Sequence, residues 1–535
     1  MSKLDYSFSN DYMVLRPDKA GPVELLHLLL SPKVGRNRAV DCFTSTEVRS
    51  FPRRLAIFLN LLLQVLLLAL AGPLAALGAA VELLLNLVDN VLHGRMECPD
   101  RSSPAYRSVM ALIDRRVDLD RSIEPTDPRF DAALCVMASK LAYESEAFIR
   151  NVVTTHWQME FVRFYNCWNE FQNAYTAQAF VMCDKAVDAG VIVVAFRGTP
   201  AFDAARWCAD LDPSWYKIPR LGRAHAAYTH ALGAQRNVGW PKWVEHIKGK
   251  PQKVYAYYTI RDALKEVLEA NKSARVLVTG HGSGGALAAL FPAILAYHKE
   301  KAVLERVAGV YTFGQPRVGD AMLAMFVERN LDRPRKRHFR ITYGHDSLPR
   351  LPNESSAVHY LHFGLGLHFD MSYKLKVLRE IPGEETPSSL LDLVTSRINS
   401  ACELGRGVYL GYQRGVYFRE GWLLLLMRVL AVALPGLPFH RVTTSTPSFS
   451  AATFPRITDE SSLQSAMEGA AAQMAGPILG IIAVAAVTFY TVSFMELRDK
   501  SFEELDEKYS DLDESGGRQR RSRRRAERDR KKRND

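Results

Sequence analysis

The sequence predicts an α/β protein, a mostly parallel sheet flanked by helices. Short runs rich in β-branched and aromatic residues recur between residues 118 and 454, and longer helical patterns lie between them. Strands alternating with helices need crossover connections, and crossovers make the strands parallel. One run, Arg275–Thr279, passes through a turn of small residues straight into the helical pattern Ala286–Tyr297. The remaining predicted strands are Thr176–Cys183, Val191–Phe196, Val307–Phe313 and Phe339–Tyr343, with a further helix over Arg261–Ala270.

Bulk properties narrow the class. The chain has 535 residues, 47% hydrophobic and 24% charged, which is the balance of a globular protein longer than one ordinary domain. The net charge of +11 is concentrated in the tail. Eleven basic and two acidic residues between Arg518 and Arg533 give +9, leaving about +2 for the rest. A nucleic-acid partner is not expected of so neutral a body. The seven cysteines show no C-x-x-C pair, so a zinc site is not expected, and reduced thiols in a cytosol-facing domain are the simplest reading; no other metal and no cofactor is expected.

Two segments lack charge altogether. Leu55–Val81 is apolar around its whole circumference and is interrupted by Gly72-Pro73. Two apolar arms about a Gly-Pro break suggest a hairpin over residues 55–93 that dips into one lipid leaflet. Residues 1–54 form a polar N-terminal region without the pattern of a secretory signal. Residues 94–455 form the main domain. Gly469–Met495 is long enough to span a bilayer, and 496–535 is a charged tail expected to be disordered. From Met474 the chain reads either as a tail anchor or as a small single-span membrane protein with its own start methionine, and both readings stay open.

The chemistry sits at the strand–turn–helix unit, Val276–Tyr297. A tight turn of small residues between a sheet strand and a helix is the setting of the G-x-S-x-G nucleophile elbow of α/β-hydrolases. Gly280 and Gly284 occupy its flanks, but the residue between them is Gly282, and the nearby serine is Ser283, one position late.

Further stretches carry a resemblance: Ala133–Glu144, Phe161–Gln172, Val193–Tyr216, Val278–Leu295, Gly309–Asp320, Asp346–Pro352 and Ala433–His440. Together, and in this order, they resemble the plant oil-body triacylglycerol lipases of the class 3 (fungal-type) lipase family. The resemblance implies an α/β-hydrolase fold and acyl-ester hydrolysis. It implies that Asp346 is the triad acid, His440 the triad base, and that Thr199 with the N–H of Ser283 forms the oxyanion hole. It implies a lid over Pro200–Tyr216, with Phe202, Trp207 and Trp215 on its apolar face. His362 also matches, at a position read as structural.

The family elbow reads G-H-S-L-G-G, whereas this chain reads Gly280-His281-Gly282-Ser283-Gly284-Gly285. Ser283 could act as a surrogate only after a one-residue slip, which would turn the strand's side chains over unless a local bulge absorbed it, and nothing in the sequence asks for a bulge. Two smaller departures are Ala227 in place of a glycine, and the run after His440, which lacks the family's polar pattern. Two functions follow. One is a triacylglycerol lipase at a lipid droplet or endoplasmic reticulum membrane, its catalysis weakened by Gly282. The other is a non-catalytic lipid-droplet-binding protein on the same scaffold.

Overall fold

The computed structural model describes residues 8–120, 123–236, 238–244, 253–343, 346, 348–352, 359–369, 375–378, 412, 421 and 423–426. His440, the 469–495 segment and the 496–535 tail lie outside the described residues.

The chain opens with β1 (Tyr12–Leu15), α1 (Pro22–Leu30) and β2 (Val40–Cys42), then the long helix α2 (Phe51–Leu92). Next come α3 (Val109–Ile113), α4 (Phe130–Leu141) and α5 (Glu146–Asn151), which runs on into a π turn over Val152–His156. Strands β3 (Glu160–Asn169), β4 (Ala174–Cys183) and β5 (Val191–Phe196) follow. Helix α6 (Ala204–Leu211) leads to β6 (Trp215–Ile218), β7 (Gly222–His225), α7 (Ala226–Leu232) and α8 (Ala256–Ala270). Then come β8 (Arg275–His281), α9 (Ser283–Tyr297), α10 (Lys301–Leu304), β9 (Val307–Phe313) and α11 (Ala321–Asn330). The described elements end with β10 (His338–Tyr343), β11 (Leu365–Phe369) and β12 (Leu375–Leu378).

The main sheet runs β12-β11-β10-β9-β8-β5-β4-β3. Its centre, β5 to β11, is parallel, and its margins pair antiparallel. Strand pleating separates two cores. Ile192, Val194 and Phe196 pack into one with α9, and Val191, Val193 and Ala195 into the other with α4. Burial on both faces is why β5 reads as a continuous apolar run in the sequence.

Three features mark the domain layout, and the first and third of them correct expectations. First, residues 55–93 do not form a hairpin. Helix α2 is continuous over 42 residues with Pro73 inside it, about 63 Å at ~1.5 Å per residue. Proline deprives the carbonyl four residues back of its partner, and here Ala69 and Pro73 both lie on the exposed side, so the loss is not sealed inside protein. Second, the polar residues of this apolar run face the domain. Arg54 donates to the carbonyls of Leu28 and Arg49, Asn60 to that of Leu211, and Asn86 to that of Arg107, while Asp89 pairs with Arg115. The helix is pinned along its length, and Leu66, Leu70, Leu77, Leu84, Leu87 and Val91 are left exposed.

Third, residues 1–54 are not separate from the hydrolase body. Strand β1 pairs antiparallel with β6 in a second sheet of order β2-β1-β6-β7. Met13, Leu28, Val40, Ile57, Leu61 and Trp215 share one buried cluster there. The boundary expected at residue 94 is therefore not a boundary of the fold.

Candidate active site

The parallel strands end on one edge of the sheet. Thr199 follows β5, Gly282 follows β8, and Asp346 follows β10. Across the sheet the order is β10-β9-β8-β5, so the elbow stands next to the oxyanion-hole candidate and two strands from the acid candidate. Two strand spacings are roughly 10 Å, a gap that an imidazole between elbow and acid would bridge.

The elbow is intact, and its vertex is Gly282. The strand keeps its register to the end, with Gly280 opposite Phe196 and Thr312, and His281 opposite Phe313. Gly282 then turns the chain with φ 58° and ψ −126°, and Ser283 begins α9. That backbone is costly for any residue with a Cβ. The slip needed to bring Ser283 to the vertex is absent. Its hydroxyl instead lies 2.8 Å from the Thr199 hydroxyl. Thr199 and Ser283 are thus brought together beside the elbow, while the vertex itself carries no side chain.

Close backbone packing holds this shape. A Cβ on Gly280 would fall 2.2 Å from the Gly284 carbonyl oxygen, and one on Gly284 would fall 2.4 Å from that of Phe196. Gly280→Ala is expected to cost at least about 3 kcal/mol, because backbone on both sides cannot yield. A melting temperature within a degree of the natural chain's would contradict this contact. Beneath the turn, the Tyr143 hydroxyl lies 2.9 Å from His281 Nδ1. Burial pushes the Tyr143 phenol up, so it stays protonated and can donate there.

Asp346 sits half-buried after β10, and its carboxylate accepts from the Leu348 amide at 3.1 Å. His362 is buried, its Nε2 2.8 Å from the Pro349 carbonyl oxygen, which suits the structural place expected of it. Ala227 lies buried in α7.

The lid expectation divides. Helix α6 is amphipathic and carries Trp207, half-buried, with Phe202 in the turn before it. Trp215 is not on the flap. It lies in β6 at 6% exposure, because the strand's alternation turns it into the cluster beneath β1. The Asp203 side chain caps α6 by accepting from the Arg206 amide at 3.0 Å. Arg206 pairs with Asp203 at 3.1 Å and reaches the Gly198 carbonyl at 3.5 Å, so the helix lies against the loop after β5. Its other side docks on α2. Phe202 fills the notch at Gly78, where a Cβ would come within 2.4 Å of it. Asn60 donates to the Leu211 carbonyl at 2.8 Å, and Gln64 donates to Asn60 Oδ1 at 2.6 Å. Asn60, Gln64 and Arg206 escaped the sequence reading. The one available signal was the i,i+4 spacing of Asn60 and Gln64 in an otherwise apolar run, which puts both on one helix face.

The far hinge of α6 carries a buried acid. Asp212 Oδ1 accepts from the Ser214 hydroxyl at 2.5 Å, and among the described residues Oδ2 has no hydrogen-bond partner. Burial pushes this carboxyl up to about 7, against the opposing pull of Ser214 and of the Gln64 side chain. Asp210 and Cys208 share its helix, and Tyr228, Tyr360 and the neutral His225 face it from the packing side. The folded-state value lies above the ordinary 3.8, so the folded chain keeps a proton that the unfolded chain releases. The stability contributed by neutral Asp212 is complete below 3.8 and falls as pH rises to about 7. Limited proteolysis between 203 and 214 is expected to quicken as pH rises from about 4 to about 7 and to level off above it, relative to an unstructured control peptide. Asp212→Asn, which stays neutral, is expected to remove that change. Identical pH profiles for the two proteins would contradict the assignment.

A parallel-centred sheet with a strand–elbow–helix unit and candidate groups after successive strands defines an α/β-hydrolase. The lipase (class 3) family model matches residues 193–356, the stretch holding Thr199, the elbow and Asp346. Triacylglycerol lipase OBL1 of Nicotiana tabacum is 34% identical over 469 residues, covering 72% of this chain and 81% of the relative. The Arabidopsis thaliana protein of the same name is 32% identical over 485 residues, covering 81% and 93%. The chain belongs to the class 3 lipase family. The solved Rhizomucor miehei triacylglyceride lipase aligns over 49% of this chain and 91% of its own, at 20% identity and a TM-score of 0.35, too low a score to bear on the site.

Proposed function

We propose that the protein works on a lipid surface and binds triacylglycerol or a related acyl ester in a lipase site that has lost its nucleophile. The observation that carries this is Gly282 at the elbow vertex. In this reading Asp346 holds the acid's place and His440 the base's. The N–H groups of Thr199 and Ser283 form the oxyanion hole, and α6 with Phe202 and Trp207 is the lid. Ser283 is not a surrogate nucleophile, because a residue in the first turn of α9 offers the site its N–H and its hydroxyl is engaged with Thr199.

The surface is that of a lipid droplet or the endoplasmic reticulum membrane, with the domain facing the cytosol. Support comes from α2, whose polar residues bind the domain while Leu66, Leu70, Leu77, Leu84 and Leu87 face outward. Among the described residues it alone is long and apolar enough to cross a membrane. A helix pinned along its length to a folded domain suits lying in a lipid monolayer better than crossing a bilayer. The six described cysteines are free and five are buried, in keeping with a reducing compartment.

The test is adsorption and turnover on one triolein emulsion. The full chain is expected to float with the oil and to release no more fatty acid than the emulsion alone. Robust release abolished by Ser283→Ala would overturn the reading and make Ser283 the nucleophile.

A further inference from the structure

Away from the elbow, a cavity of about 210 Å³ opens between the residues after α2 and the end of α5. Arg95, Arg107, Asn151 and His156 line it together with apolar groups that include Val117 and Phe148. None of these residues has a part in the lipase reading.

Arg107 is held in place from several sides. Asn86 of α2 bonds both its backbone amide, at 3.1 Å, and its carbonyl, at 2.8 Å. Its guanidinium lies 5.2 Å from the centre of the Phe148 ring. The Nη1 atom is nevertheless buried without a hydrogen-bond partner among the described residues. Burial and the like charge of Arg95 both disfavour its cation, and Glu144 offsets them only in part. The carboxylates nearby are already engaged. Glu144 accepts from the amide and hydroxyl of Ser108, and Asp118 accepts from His156 Nδ1 at 2.8 Å. Asn151 Oδ1 is likewise taken, by Thr155 at 3.2 Å, so the Asn151 group left to bond a ligand is its NH₂ donor.

We propose that this cavity is a phosphate-binding site, with the anion clasped between Arg107 and Arg95 and a further bond from Asn151. Two guanidiniums call for more than one negative charge. A carboxylate brings one, whereas a phosphate monoester brings about −1.5 to −2 at neutral pH and accepts from the Arg fork bidentately. The apolar groups beside Arg107 lower the local dielectric and so strengthen its bond. The phosphate could belong to a free ion or to a phospholipid headgroup. Leu92 and Met96, strongly exposed beside the cavity-lining Arg95, supply an apolar neighbour of the kind a headgroup site would have.

The experiment uses the full chain in two arms. Calorimetry with inorganic phosphate tests the free ion. Flotation on phosphatidylcholine vesicles, with and without phosphatidic acid, tests the headgroup. Arg107→Gln is expected to weaken binding at least ~10-fold, the loss of one charge-assisted hydrogen bond. Arg95→Gln, at an exposed side chain whose removal leaves the core untouched, is expected to weaken it in the same direction, so a folding defect in the first variant does not decide the outcome. Phosphate binding that both variants reduce supports the site with a free ion as ligand. Selective flotation on phosphatidic acid that both variants reduce supports it with a headgroup as ligand. No binding in either arm, or binding indifferent to both arginines, overturns the proposal.

Discussion

Replacing Gly282 by serine is expected to raise triacylglycerol hydrolysis by ~10³-fold or more. Removing one member of a serine triad costs on the order of 10⁴–10⁶ in kcat and leaves only what binding and the oxyanion hole supply. The elbow itself is shaped to receive the hydroxyl. Register from Leu277 to the end of β8 is continuous, the turn already has the elbow backbone, and Thr199 adjoins Ser283 beside it. The same substitution is expected to cost about 1–3 kcal/mol of stability, since a Cβ must adopt φ 58°. Higher activity with a lower melting point is therefore the signature. A variant that melts lower but gains no activity would show that the acid–base partners have decayed as well.

The second large effect concerns the lipid surface. Leu70, Leu77 and Leu84 are spaced by seven residues along α2 and are 44%, 43% and 59% exposed. That spacing keeps them on nearly one face. Each can bury about half of its side chain in lipid, worth roughly 0.8–1.5 kcal/mol. Replacing all three by glutamine keeps helix propensity and removes about 2–4 kcal/mol of transfer energy, on the order of 10²- to 10³-fold in partition between emulsion and water. Unchanged flotation of the triple variant would mean that α2 is not the face that meets the lipid.

The sheet's centre was legible because burial on both faces writes strands as unbroken apolar runs. Val191–Phe196 and Val307–Phe313 appear with the expected bounds. The β8 strand runs two residues further than expected, to His281, because pairing with Thr312 and Phe313 keeps glycine and histidine extended. Strand β3 was missed. It is the sheet's margin, with Arg163 and Asn166 among its solvent-facing positions, and its alternation is too polar to stand out. The hairpin expectation failed for the opposite reason. Gly72-Pro73 looks like a stop when only local propensity is weighed, but the packing of Phe202 on Gly78 and the bonds of Asn60 and Asn86 hold both arms in one helix. Trp215 was misplaced because the lid was inferred from motif extent, whereas pairing with β1 decides where the flap ends.

Within the site, the strand–turn–helix pattern singled out Gly282, whereas Thr199 and Asp346 were named only through the resemblance to the class 3 lipases. The closed docking of α6 on α2 did not, since it depends on contacts across some 150 residues of sequence that no local pattern encodes.

The most direct measurement is covalent trapping with a lipase-directed alkylphosphonate, read by intact and peptide mass spectrometry. The natural chain is expected to remain unlabelled, and Gly282→Ser to take up one equivalent at position 282. Stoichiometric labelling of the natural chain at Ser283 would contradict the account, because it would put a working nucleophile where the structure places a helix residue bonded to Thr199.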